Sequence, residues 1–148
     1  MLPYPIDNFK NESEEQLYKL FQDKLGPDYT VFYGRSWSDH SNNGNPDPEC
    51  DFIITKPDSG ILIIEAKGGK WERVNGTWHC YGKPVKPGDD PFEQAKSNKA
   101  ALIRLLKSTS KWERTYFPVS YALALPDTSF NNDNDFIGLP SILTFDQL

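Results

Sequence analysis

The chain has 148 residues, 37% hydrophobic and 25% charged, which fits one ordinary domain (residues 1–148, core about 13–125) and excludes a disordered chain. Two cysteines, Cys50 and Cys80, without CxxC spacing exclude a disulfide framework; with no secretory signal at Met1 and no span that could enter a membrane, a reduced cytoplasmic location is expected. The net charge of −5 argues at first against a nucleic-acid partner, but residues 67–114 carry 11 basic and 5 acidic side chains, and a local basic face can bind phosphate on an acidic protein.

Taken in chain order, Ser13-Glu14-Glu15-Gln16 spells a capping box, with Ser13 as N-cap and Gln16 at N3. Leu17, Tyr18, Leu20, Phe21 and Leu25 follow at helical spacing, and Gly26-Pro27 ends the helix. Residues 29–33 are a short β-rich run, and 36–48 a polar stretch rich in Asn, Pro and Gly that reads as a loop. Residues 51–55 and 61–67 form two strands around a hairpin loop. The run Ile61-Leu62-Ile63-Ile64 does not alternate, so the second strand is expected to be central and covered on both faces. Asn75-Gly76 is a type I′ turn signal between Trp71-Glu72-Arg73-Val74 and Thr77-Trp78-His79-Cys80. Residues 81–88 read as a Pro/Gly connection. Asp90-Pro91-Phe92-Glu93 then opens a helix, with Asp90 as N-cap and Pro91 at N1, running to about residue 107. Residues 119–125 and 141–145 are further strands. The order is that of an α/β sheet with helices packed on it.

Chemistry concentrates in the first hairpin. A three- or five-residue loop sets Asp51 opposite Glu65, on one face of the sheet, and Lys67, two residues on, points the same way. Two carboxylates and an amine then converge at one end of an apolar hairpin. Hard cations such as Mg²⁺ take one or two carboxylates plus phosphate and water, and a lysine beside them can stabilise charge developing on phosphorus. An ion-pair cluster at the exposed end of a strand explains the same spacing equally well. Glu14 tips the balance, because it shares a helix face with Leu17, Tyr18, Phe21 and Leu25 and is aimed inward, where a lone carboxylate is costly. Its bland alternative is a solvated first-turn glutamate favoured by the helix dipole. Gln94 lies on the second long helix beside Asn98 and Ala101, away from the Phe92, Ala95, Leu102 and Leu106 stripe. Glu49 could share the face of Asp51, or be an ordinary loop glutamate.

These pieces together resemble the nuclease-related (NERD) domain, a branch of the PD-(D/E)xK nuclease superfamily. The resemblance rests on the Ser13-Glu14 helix, Glu49-Cys50-Asp51-Phe52, the strand end Glu65-Ala66-Lys67, and the helix start Pro91-Phe92-Glu93-Gln94. It covers about residues 13–106 closely and the C-terminal strands loosely. An ExK alone is weak; Asp, a 13-residue gap and ExK, flanked by a helical Glu before and a helical Gln after, is fairly specific. The resemblance implies a restriction-endonuclease-like core, a central mixed β-sheet flanked by α-helices. It implies that Asp51, Glu65 and the Ala66 carbonyl hold Mg²⁺ or Mn²⁺, that Glu14 is a further acidic residue of that site, that Lys67 is the catalytic lysine, and that Gln94 lines the site. The implied activity is hydrolysis of DNA in processing or repair, with RNA left open as a substrate. Because the family often occurs with helicase or other DNA-processing modules, a fused or associated helicase-type partner is implied. From the charge distribution, Lys70, Lys96, Lys99 and Lys107 are the expected phosphate contacts; the alternative is a solvated helix face.

Two other functional classes fit parts of the sequence. A silent nucleic-acid-binding module of the same fold would keep the residues and lose turnover, and need bind no divalent metal. A two-carboxylate glycosidase, suggested by the tryptophans, would need no metal and has no use for Lys67. Trp71 and Trp78 could stack on bases, but on an Asn-Gly hairpin they more often pack on each other or on the sheet. His40 and His79 stand in no ligand pattern, and no GxSxG, P-loop or GxGxxG is present.

Overall fold

A computed structural model describes residues 6, 8–37, 48–114, 116–129 and 142–144. The first helix, α1, is Glu12–Lys24. Its N-cap is Asn11, not Ser13: the Asn11 side chain accepts the Glu14 N–H at 3.0 Å and donates to Glu14 Oε1 at 2.7 Å. Asn11 and Glu14 thus form a side-chain variant of the capping box, with the Asn11 amide rather than its backbone N–H reaching Glu14, and this start wins because both of its polar ends are satisfied at once. Ser13, freed from capping, is buried and turns its hydroxyl elsewhere. The inward face of α1 buries Leu17, Tyr18 and Phe21.

Strands β1 (Thr30–Ser36), β2 (Glu49–Lys56) and β3 (Gly60–Ala66) follow. The polar loop expected between β1 and β2 falls mostly on residues 38–47, outside the described set, as does His40. β2 and β3 pair antiparallel from Phe52 opposite Ile64 to Lys56 opposite Gly60, the register that sets Asp51 toward Glu65. A hairpin of three strands comes next: β4 (Trp71–Val74), β5 (Thr77–Cys80) and the two-residue β6 (Lys83–Pro84). Asn75 and Gly76 both have positive φ, 49° and 79°, as a type I′ turn requires. β6 departs from the irregular connection expected over 81–88. Tyr81 and Gly82, at φ 50° and 72°, make a second tight turn that folds the chain back onto β5, and a 3₁₀ turn, Pro87–Asp89, then leads into the second helix. That helix, α2, is Pro91–Lys107, with Asp90 capping the N–H groups of Phe92 and Glu93. β7 (Val119–Leu125) and β8 (Ile142–Thr144) complete the main sheet.

The main sheet is mixed, in the order β1-β2-β3-β7-β8, with β3 central and parallel to β7. Ile63 and Ile64 explain why β3 does not alternate. Ile64 joins Leu17, Phe21 and Phe52 under α1, whereas Ile63 joins Ile53 and Leu102 under α2. Each is essentially inaccessible to solvent, and burying one such side chain contributes about 1.5–3 kcal/mol. The small β4-β5-β6 sheet docks on the far end of β7 through Trp78, packed with Leu123 and Leu125. Among the described residues no helix is long and apolar enough to cross a membrane.

Candidate active site

The site forms where β2 begins and β3 ends. β2 stays paired with β1 there, Cys50 opposite Arg35 and Glu49 opposite Ser36, while its ladder to β3 stops at Phe52. The Ala66 N–H therefore has no backbone acceptor on the β2 side, and the Asp51 carboxylate takes it, Oδ2 accepting at 2.9 Å. Glu65 sits on the same strand end and is 6% exposed. The Lys67 ammonium donates to Glu65 Oε1 at 2.7 Å, and the Lys67 backbone N–H donates to the Ala124 carbonyl, extending the β3–β7 register past the end of β3. Parallel strands β3 and β7 thus present their carboxyl ends to the site, where open α/β sheets commonly bind ligands.

The electrostatics are those of a site with more buried negative charge than its own cations balance. Asp51 is pushed up to about 7, first by burial and then by the charge of Glu65, against the opposing Ala66 N–H bond and Lys67. Burial also raises Glu65, and Lys67 opposes it. Two carboxyls that repel each other in a partly desolvated corner share one close ammonium.

Glu14 reaches this field without joining the pair. It is 3% exposed and bonded on both oxygens, Oε1 accepting from Asn11 and Oε2 from the Tyr33 hydroxyl. Its charge acts on both Asp51 and Glu65. Among the described residues no three His, Cys, Asp or Glu side chains are arranged to hold a metal ion. Gln94 lines a cleft of about 570 Å³ that opens beside Glu65, together with Glu49, Ser97, Asn98 and Arg104.

The four lysines expected to contact phosphate do not line this cleft. Lys70 donates to the Asp127 carbonyl at 2.6 Å, Lys96 pairs with Glu93 at 3.5 Å, and Lys99 and Lys107 lie over the rings of Tyr121 and Phe117. Trp71 and Trp78 meet edge to face, ring centres 6.1 Å apart, with Trp78 buried, so the tryptophans pack on each other. His79 Nδ1 lies 3.1 Å from the Thr77 carbonyl. Glu49 pairs with Lys10, and its carbonyl accepts from Asn98 Nδ2 at 2.8 Å. Asn98 also approaches Glu65 Oε2 at 3.4 Å.

Asn98, Tyr33 and Lys10 were not singled out from sequence as site residues. Asn98 carried a usable signal, standing one helical turn after Gln94; Lys10 and Tyr33 carried none, since their contacts cross 39 and 19 residues of chain.

A scan against protein families matches the nuclease-related domain over residues 10–126, well over half the chain. The chain belongs to the nuclease-related domain family. The match begins at Lys10, before α1, and ends one residue before Asp127, so it takes in the whole hairpin site and α2. The mixed sheet between two helices agrees with the restriction-endonuclease-like fold expected for a nuclease-related domain. A search of the curated proteins finds no match.

Proposed function

We propose that this nuclease-related domain is a metal-dependent phosphodiesterase that hydrolyses DNA. The observation that carries the reading is the burial of Asp51 and Glu65 side by side with Lys67 bonded to Glu65. Holding two carboxylates close together and away from water is costly unless a cation belongs there. The donor set fits Mg²⁺ or Mn²⁺: Asp51, Glu65 and the Ala66 carbonyl supply hard oxygens, and such ions fill their remaining positions with water and substrate phosphate. When bound, the ion supplies a Lewis acid for the phosphoryl oxygen and lowers the pKa of a coordinated water.

The chain's own residues do the rest. Glu65 holds the Lys67 ammonium, which orients the incoming water and balances charge as the new O–P bond forms and the ester O–P bond breaks in line. Asp51, fixed by the Ala66 N–H, keeps its second oxygen directed by a rigid strand end. Glu14 adds negative potential from its anchored position and so strengthens cation recruitment, as the further acidic residue of the metal site. Gln94 lines the approach to Glu65 and offers an amide donor to the substrate backbone, while Asn98 beside it spends its own amide on the Glu49 carbonyl and Glu65. The setting fits DNA processing or repair in the cytoplasm, with a fused or associated helicase-type module as partner.

The test is cleavage of linear, circular and single-stranded DNA, and of RNA, in Mg²⁺ or Mn²⁺ against EDTA. Metal-dependent cleavage of DNA is expected. Binding without cleavage in either metal would identify a silent nucleic-acid-binding module instead, and undiminished cleavage in EDTA would overturn the metal role.

A further inference from the structure

The buried polar or charged side chains among the described residues are Ser13, Glu14, Glu65 and Thr128. Two belong to the site. The other two meet around Asp127, in the turn that follows β7. Buried polar groups are kept only where they are bonded, so the bonds made by Ser13 and Thr128 point to what the fold is holding in place.

What they hold is the loop directly after Lys67. Asp127 Oδ2 accepts the Gly69 N–H at 2.9 Å and the Ser13 hydroxyl at 3.2 Å. Thr128 Oγ1 donates to the Gly69 carbonyl and accepts the Trp71 N–H, both at 3.0 Å. Trp71 Nε1 donates to the Gly68 carbonyl at 2.8 Å, and the Tyr81 N–H donates to the Lys70 carbonyl at 2.8 Å. Gly68 is required by the closeness of this packing: a Cβ there would fall 2.4 Å from Ser13 Oγ and 3.2 Å from Asp127 Oδ2. Gly69 has φ +99°, a conformation that side chains rarely adopt. These bonds hold the Gly69 N–H and carbonyl and the Gly68 and Lys70 carbonyls, although the loop carries none of the reacting groups itself.

We propose that Asp127 is a positioning residue for Lys67 and Glu14, joining the Gly68-Gly69 loop behind the lysine to the first turn of α1 through Gly69 and Ser13. Ser13 immediately precedes Glu14, and Gly68 immediately follows Lys67, so one carboxylate oxygen sets the distance between the two. The role rests on the nuclease reading of the site, but the bonds can be examined apart from it.

The experiment compares the wild-type protein with Asp127→Ala, Asp127→Asn, Lys67→Ala and the Asp127→Ala/Lys67→Ala double variant, in single-turnover cleavage with Mg²⁺ or Mn²⁺ and in DNA binding. Asp127→Ala is expected to lower the saturating rate about 10–100-fold, the scale of a sub-ångström to ångström misplacement, with DNA affinity changed less than about threefold. Asp127→Asn keeps a carbonyl oxygen for both donors and should restore most of the rate. In the Lys67→Ala background the Asp127→Ala change should cost clearly less than it does alone, because one of the two residues it acts through is gone. A wild-type rate in Asp127→Ala, an Asn variant as poor as the Ala variant, or an undiminished effect without Lys67 each overturns the proposal. Should Asp127→Ala fail to fold, Ser13→Ala removes a single bond of the joint and must still slow the saturating rate about three- to tenfold; a wild-type rate there overturns it. If the wild-type protein itself cleaves nothing, the nuclease reading has failed, and the joint is judged by NMR alone. The Gly69 amide must then exchange faster and the Lys67 Nζ resonance must shift in Asp127→Ala, with both restored in Asp127→Asn; unchanged spectra overturn it.

Discussion

Asp51→Asn and Lys67→Ala should both abolish most cleavage, for different reasons. The first removes a ligand charge, so metal affinity weakens and excess Mn²⁺ restores part of the rate. The second leaves the oxygens in place and removes a charge acting mainly in the transition state, so calorimetric metal affinity survives or rises while turnover falls about 10²–10³-fold. Wild-type cleavage by Lys67→Ala would reduce Lys67 to a counter-ion at a strand end. Asp51 also carries a stability prediction for the metal-free protein. Its folded pKa, about 7, lies above the ordinary value of 3.8, so the fold prefers the protonated form. There is no penalty below the unfolded value; it grows as pH rises from about 4 to about 7 and is complete above that. In EDTA, Asp51→Asn should therefore match the wild type near pH 4 and be roughly 1–3 kcal/mol more stable at pH 8, where the amide still accepts from Ala66. A fixed concentration of Mg²⁺ should raise the melting temperature of the wild type more than that of the variant. Equal melting temperatures at pH 8 would mean that the buried pair is not strained.

At the scale of elements, α1 depends on a cap that also anchors a site residue. Asn11→Ala should cost about 1 kcal/mol in urea unfolding, the usual value of an N-cap, and it also strips Glu14 of one of its two donors. An Asn11→Ala protein as stable as wild type would return the cap to Ser13. The sequence showed that a helix begins here but not at which residue, because Asn11 with Glu14 and Ser13 with Gln16 are overlapping boxes and local pattern cannot choose between them. α2 was unambiguous: Asp90, Pro91 and Glu93 agree on one start. The hairpin was legible because β2 and β3 are joined by a short loop, so Asp51 and Glu65 could be set face to face from loop length alone. β6 was not, being two residues long and made by the left-handed Tyr81-Gly82 turn. Asp127 was hidden for another reason: its contacts to Gly69 and Ser13 span 58 and 114 residues, and no local pattern reports a partner that distant.

For the whole molecule, α2 divides its basic side chains between the carboxylate cleft and another side of the helix. Gln94, Ser97, Asn98 and Arg104 face the cleft, whereas Lys99 and Lys107 lie over Tyr121 and Phe117. Bound DNA would have to bend around α2, a helix of 17 residues about 25 Å long, to meet both. DNA affinity should fall with salt at a log–log slope of about −0.9 per phosphate neutralised on duplex. Charge reversal at Lys96, Lys99 or Lys107 should flatten that slope and leave the saturating cleavage rate unchanged; binding insensitive to salt would make the segment a solvated face. The long reach from Ser13 to Asp127 also bears on the chain's own synthesis. The two carboxylates meet in a local hairpin that can form as soon as β3 emerges, but the joint behind Lys67 waits for β7 to be made and paired across a crossover of more than fifty residues. Such distant contacts form late. A nascent chain thus carries its paired carboxylates long before it carries the contacts that hold the loop behind Lys67.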